Sequence, residues 1–295
     1  MTRDGEFGAA RRIGNKVFLV SVLGVALIYF LIPFYWLIVA STKTNAELSS
    51  TFGLWFGSGN ALWDNVVSVL TAVDGVYVTW LRNTAFYSVT AAVGAALIAT
   101  LAGYAFAKFE FRGRKPLLAV ILISVAVPVT ILIVPLFLML AKMQLINTPW
   151  AMILPSMVSP FGVYLMWIFA EETLPVELLE AARIDGAGEF RVFTQIALPL
   201  LAPGFVTVLL FSFVGTWNNY FLPLLVYSDS QYYPLTVGLA QWNLQATAGI
   251  GSGQLYATHA MILTGALIAI VPLTLAFLFL QRFWQSGLTF GSVKG

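Results

Sequence analysis

The densest acidic stretch of the chain holds Glu171, Glu172, Glu177, Glu180, Asp185 and Glu189. Its spacing reads as a short helix followed by a bend. Pro175 fits a first helical turn, Glu177 and Glu180 suit the positive N-terminal end, and Gly186 allows a left-handed stop directly after Asp185. Gly188 loosens the turn. Phe190, Phe193 and Ala197 then recur on one face of a second short helix that Pro199 is expected to end. Small residues Ala181 and Ala182 beside the Glu180 carboxylate suit a module that docks into a groove on a soluble partner. Periodicity alone fits that module less often than it fits an amphipathic loop packed under a helical bundle.

Two weaker clusters remain. Asn218 and Asn219, flanked by Thr216, Trp217 and Tyr220, could offer amides and an aromatic face to sugar hydroxyls and rings; the alternative is a helix cap with interfacial aromatic anchors. The region from Ser228 to Tyr256 reads as a long, nearly uncharged loop. Gln245, Gly249, Gly251, Gly253 and Gln254 form its flexible part, which is either a contact for a docking protein or a passive connector. His259 beside it has no second His or Cys, so it reads as structural rather than as a metal ligand or pH switch.

Catalytic motifs are absent from the sequence. It has no G-x-x-x-x-G-K-[ST] string to cradle ATP phosphates, no G-x-S-x-G elbow and no H-E-x-x-H pair. With one histidine and no cysteine, neither a metal centre nor a disulfide framework is expected. The pI near 8.8 accompanies a net charge of only +2 with no basic stripe, so nucleic acid is not an expected partner.

The elements that must position these residues follow from composition. A chain of 295 residues that is 59% hydrophobic and 9% charged, with mean hydropathy +0.87, cannot bury its apolar surface in one soluble core. The lipid bilayer is the expected solvent. A hydrocarbon layer about 30 Å thick takes roughly 20 helical residues, since backbone amides in lipid must be bonded internally. On that rule the expected fold is all-α, a polytopic bundle with six spans near residues 17–40, 83–107, 116–141, 150–170, 203–226 and 257–280. Residues 1–16 form an N-terminal segment, 17–281 the membrane domain with a loop at 171–202, and 282–295 a tail.

Lys and Arg set the orientation. With both termini cytoplasmic, the inner segments hold Arg3, Arg11, Arg12, Lys16, Lys108, Arg112, Arg114, Lys115, Arg183, Arg191, Arg282 and Lys294, leaving Lys43, Arg82 and Lys142 outside. The expected location is the inner (plasma) membrane. Ala91, Ala95, Ala99 and Gly103 repeat every four positions as a ridge for close helix packing. Pro128, Pro135, Pro155, Pro160 and Pro272 mark possible kinks. No acid or base falls in the middle of an expected span, which disfavours a proton- or ion-relay pathway.

The string from Glu180 through Ala181, Ala182, Arg183, Ile184, Asp185, Gly186 and Ala187 to Gly188, followed by Phe193, Ile196, Leu198, Pro199, Leu200 and Pro203, resembles the EAA signature of ABC importer permeases. The end of the chain, from Gly287 to Gly295, resembles the tail of maltose-type carbohydrate permeases, as do the stretches from Trp217 to Leu224 and from Pro234 to Leu239. Phe290 stands where alanine is frequent. The resemblance implies that the 171–202 loop carries a coupling helix, with Glu180, Ala181, Ala182, Asp185, Gly186, Ala187, Gly188 and Pro199 meeting an ATP-binding cassette ATPase. It implies a dimer of that ATPase holding ATP and Mg, a second homologous permease, an extracytoplasmic solute-binding protein and alternating access for a sugar. No cofactor is expected on this chain, and enzymatic turnover is expected only in the ATPase. Three other classes stay open: an ion-coupled secondary transporter, separated by transport that survives ATP depletion; a membrane enzyme, separated by turnover in the purified chain; and a structural scaffold, separated by indifference to changes at Glu180 and Gly186.

Overall fold

The computed structural model describes residues 3–248 and 258–289, and every regular element among them is helical. α1 (Arg3–Ser41) leads into the short α2 (Asn45–Ser50), whose start is fixed by Thr44 and Glu47 bonding reciprocally to each other's backbone amides. α3 (Leu62–Lys108) is interrupted at Ala72–Gly75, where Val73, Asp74 and Gly75 all have positive φ. α4 (Arg114–Val125), α5 (Val129–Lys142), α6 (Trp150–Ser156) and α7 (Pro160–Thr173) follow. Next come α8 (Val176–Ile184) and α9 (Glu189–Val192), which runs through a π-helical turn at Phe193–Ala197 into α10 (Leu198–Trp217). The chain closes with α11 (Phe221–Val226), a 3-10 turn at Ser230–Tyr232, α12 (Leu235–Ala248) and α13 (His259–Thr289).

Five stretches are long and apolar enough to cross a bilayer: Asn15–Ser41, Leu62–Lys108, Trp150–Thr173, Glu189–Trp217 and His259–Gln281. Counting α4 and α5 as one broken span gives six. Those two helices occupy the stretch expected as one span at 116–141, but they meet at 106°. Pro128 lacks an amide to continue the ladder and is itself extended, with ψ 122°, so α4 stops and α5 restarts in a new direction. Proline also divides the stretch expected at 150–170: α6 ends at Ser156, and α7 begins on Pro160 with the Ser159 hydroxyl accepting from the Gly162 amide.

The expected fifth helix at 203–226 is displaced in both directions. Helix runs from Glu189 to Trp217 without a break, and Phe221–Val226 is a separate short helix. The region expected as a loop from Ser228 is largely helical, since α12 occupies Leu235–Ala248. Leu235, Val237 and Trp242 on α12 are buried, and Gly238 lies so close to the Trp80 ring that any side chain there would collide with it. The strand of chain before α12 is bound to α3: the Trp80 indole donates to Ser230 O, Asn83 to Gln231 O and Tyr233 O, and Tyr87 to Tyr232 O.

α3 is the central post, packed by α7, α10 and α13. Its ridge of Ala91, Ala95, Ala99 and Gly103 is buried, and a Cβ at Gly103 would lie 2.5 Å from Met166 Cβ and 2.6 Å from the Met166 carbonyl carbon of α7. Backbones that close exclude a side chain of any size. One core cluster, with Tyr104, Phe106, Met166, Leu174, Leu179, Val192 and Leu201, gathers at the Lys108 end of α3. It fastens the 171–202 segment to the bundle.

Candidate functional site

The segment between α7 and α10 has few internal resources for stability. α8 has nine residues, below the roughly 12–15 at which an isolated helix holds in water, so it needs an anchor. Leu179 supplies it at 1% exposure, a burial worth about 1.5–3 kcal/mol. Pro175 stands at the N-cap, one position before the first turn expected for it, with ψ 135° turning the chain out of α7. Val192 in α9 is the second anchor, with no exposed surface.

The bend between the anchors is closed by backbone hydrogen bonds. Gly186 has φ +85°, the left-handed stop expected there. Its amide donates to Arg183 O and the Ala187 amide to Ala182 O, each at 3.0 Å, which closes α8 as a Schellman motif. Ala182 and Ala187, the pair that this motif brings together, both pack on the core below. Gly188 is extended and caps α9, its carbonyl accepting from Arg191 and Val192.

Across the bend, Arg183 Nε donates to Glu189 Oε1 at 2.7 Å and Arg183 Nη2 to Glu189 Oε2 at 3.2 Å. This two-pronged bond raises the Arg183 pKa above its usual range. Both side chains are well exposed, so water and salt reduce its value to under about 1 kcal/mol. It links the end of α8 to the start of α9 across the bend.

Glu180, Ala181, Asp185, Gly186 and Gly188 lie on the exposed side of this helix pair. The structure therefore brings Glu180 through Gly188 into one module and leaves its acidic face free. Pro199 is not part of it. The helix expected to end at Pro199 continues through it, with Pro199 exposed at the second position of α10. A prolyl ring inside an α-helix collides with the carbonyl four residues back; the wider π turn before it, closed by Leu198 N to Phe193 O, relieves that collision. The same turn shifts the helical register. Ala197 is buried and Phe193 packs on the core, but Phe190 projects outward at 82% exposure instead of sharing their face. Ile184 projects likewise at 86%. Exposed Ile184 and Phe190, and the Arg183–Glu189 bond, are features that sequence reasoning missed.

The other candidates lie elsewhere. Asn218 ends α10, its side chain donating to Val214 O at 2.9 Å, and the Asn219 carbonyl accepts from Thr236 at 2.7 Å. Both therefore serve helix ends, roughly 40 Å along the helix from Glu189 at 1.5 Å per residue. Trp217, expected as an interfacial anchor, is 5% exposed and packs against Phe213. Gln245 is exposed on α12, a helix rather than the expected loop; Gly249, Gly251, Gly253 and Gln254 lie outside the described residues. The His259 amide donates to Asn45 Oδ1. Among the described residues no group of His, Cys, Asp or Glu could hold a metal.

Residues 95–288, which include the whole helix pair and its bend, match the family described as binding-protein-dependent transport system inner membrane component. The chain belongs to this family. Among relatives of this inner membrane component, the arabinooligosaccharides transport system permease protein AraQ of Halalkalibacterium halodurans is 36% identical over 92% of this chain and 95% of its own length. The diacetylchitobiose uptake system permease protein NgcG of Streptomyces coelicolor is 32% identical over 85% of this chain and 80% of its length. The lactose transport system permease protein LacG of Rhizobium radiobacter is 29% identical over 93% and 94%. A chain in the crystal structure of a bacterial ABC transporter involved in the import of the acidic polysaccharide alginate shares the fold, with TM-score 0.77 at 21% identity over 96% of this permease and 99% of that chain.

Proposed function

We propose that this permease is one of two homologous membrane subunits of an ATP-driven importer for an oligosaccharide, coupled to a separate ATPase through the helix pair at Val176–Val192. One observation carries the reading: a short amphipathic helix closed by a glycine bend, anchored on its inner face by Leu179 and presenting Glu180, Ala181 and Asp185 outward. Such a surface on a membrane protein suits a soluble partner with a basic groove.

ATP and Mg reside in a dimer of ATP-binding cassette subunits, and a solute-binding protein delivers the sugar from the other side. Both termini and the helix pair face the cytoplasm, where the Lys and Arg excess belongs. Because helix is continuous from Glu189 to Trp217, a push on the pair moves α10 along its whole length. The outward-open and inward-open states then interchange by rocking of the bundle. The sugar class rests on the relatives, which carry arabinooligosaccharides, diacetylchitobiose or lactose by name.

The test is uptake of labelled arabinooligosaccharides, diacetylchitobiose and lactose in proteoliposomes holding the complete complex. ATP-dependent accumulation of at least one of them is the expected result. Transport that survives ATP depletion and collapses with the proton gradient contradicts it.

A further inference from the structure

α1 ends at Ser41, and the loop between α2 and α3 turns back along it. The Tyr35 hydroxyl donates to Leu54 O at 3.1 Å, and a Cβ at Gly53 would stand 3.7 Å from Trp36 Nε1. Tyr35 and Trp36 lie about 7–9 Å below Ser41 at 1.5 Å per residue. The span Asn15–Ser41 has 27 residues, roughly 40 Å of helix, which matches hydrocarbon plus both headgroup layers. With Ser41 at the water edge, a headgroup layer of about 5–8 Å puts Tyr35 and Trp36 at the hydrocarbon boundary. The tip of the loop is therefore at membrane depth.

What the tip exposes suits that level. Phe52 and Trp55 are 73% and 68% exposed, Phe56 is exposed beside Trp55, and Trp63 is exposed in the first turn of α3. Residues 48–63 carry no charge. The rings continue the exposed apolar side chains that α1 presents from Val17 to Trp36. The backbone sets the upper limit of burial: its one backbone–backbone bond between residues 52 and 57 is Trp55 N to Phe52 O, so the other polar groups need the water of the headgroup region. Aromatic rings with an open backbone belong at the boundary of lipid and water.

We propose that residues 52–56, with Trp63, form an aromatic foot seated among the lipid headgroups of the leaflet at the Ser41 end of α1. Three ties hold it at that depth. Lys43, 1% exposed, donates from Nζ to Phe52 O at 2.8 Å; Tyr35 holds Leu54; and the Glu47 carboxylate accepts from the Ser58 amide and hydroxyl. The Asn65 amide bonds Ser41 O and Lys43 O, so the start of α3 shares the footing of α1.

The chain contains no cysteine, so Trp55→Cys and, separately, Phe52→Cys each carry a single nitroxide label. The full chain is reconstituted into phosphatidylcholine vesicles with the subunits that purify with it. Power saturation compares collisions with oxygen, which concentrates in lipid, and with a water-soluble nickel chelate. Ser49→Cys, on the exposed side of α2, is the reference for water. The ratio of oxygen to nickel access at both loop positions should exceed that of Ser49→Cys by about fivefold or more. A ratio equal to the reference places the loop in water and overturns the proposal. Exclusion of both reagents overturns it as well, because a second permease or a solute-binding protein then covers the loop in place of lipid. Tyr35→Phe, added to Trp55→Cys, should lower the ratio about two- to threefold as the tip lifts toward water. An unchanged ratio overturns the role given to Tyr35.

Discussion

Gly186 shows how far single residues could be read. A residue after a helical carboxylate that must turn the chain left-handed is glycine for steric reasons, and φ +85° is what the structure has. Gly186→Val adds a branched side chain to a left-handed backbone, a cost of about 1–2 kcal/mol or more, confined to the bend. Insertion and the thermal transition of the bundle should stay near wild type, while solute-stimulated ATP hydrolysis in the complex falls at least tenfold. The Arg183–Glu189 bond was not legible, because partners six apart meet only once the bend between them is known. Phe190 was misplaced for a related reason: regular 3.6-residue periodicity does not anticipate a π turn.

Glu47 gives a residue-scale prediction in pH. Its carboxylate accepts from the Ser58 hydroxyl and amide and from the Thr44 amide and hydroxyl, which lowers its pKa from 4.5 to about 2. A carboxylate depressed in the folded state stabilises the fold fully above its ordinary pKa, and that contribution is lost as pH falls from 4.5 toward 2. Protection of the Ser58 amide, corrected for the intrinsic exchange rate, should therefore decline across that interval. Glu47→Gln should remove the decline.

At the scale of elements, hydrophobic runs located the helices well and their interruptions poorly. The ridge from Ala91 to Gly103 was readable because a spacing of four on a helix makes a stripe, and small side chains on it mean close approach. Gly103 is its tightest point. Gly103→Leu forces a side chain into the Met166 backbone, so the expected outcome is loss of the folded chain from detergent extracts, with Gly103→Ala destabilised by about 1–3 kcal/mol in a thermal shift assay. The 106° turn between α4 and α5 was hinted at by Pro128 but not its size, since a proline stops a helix without fixing where the next one points. α12 was concealed by composition: its surroundings are polar and glycine-rich, and the close approach of the Trp80 ring to Gly238 that packs it on α3 is a tertiary contact.

Pro199 belongs to this scale too. If the π turn exists to admit the prolyl ring, Pro199→Ala lets Phe193–Ala197 relax to α geometry and turns the preceding residues about the helix axis. Phe190 and the pair of helices would then be presented at a different angle. The expected readout is normal assembly with ATP hydrolysis less tightly linked to transport, measured as solute moved per ATP consumed.

Over the whole molecule, the composition fixed a membrane bundle and the 24-residue string from Glu180 to Pro203 pointed to its family, and both readings agree with the fold and the relatives. The way the helix pair is tied into the bundle could not be read from the string alone. Leu179 and Val192 tie the helix pair into the core that also holds Tyr104 of α3 and Met166 of α7, and the unbroken helix through α10 reaches Trp217 at the opposite end. A displacement at the pair therefore has rigid paths into three helices at once. The central claim is that this pair is the seat of the ATPase. The chain contains no cysteine, so Ala181→Cys places a single thiol on its exposed face. In the reconstituted complex, a short bifunctional reagent should join that thiol to the ATPase subunit, with a yield that changes when ATP is added. No adduct from Ala181→Cys, alongside a strong one from Gln245→Cys on α12, would contradict the account.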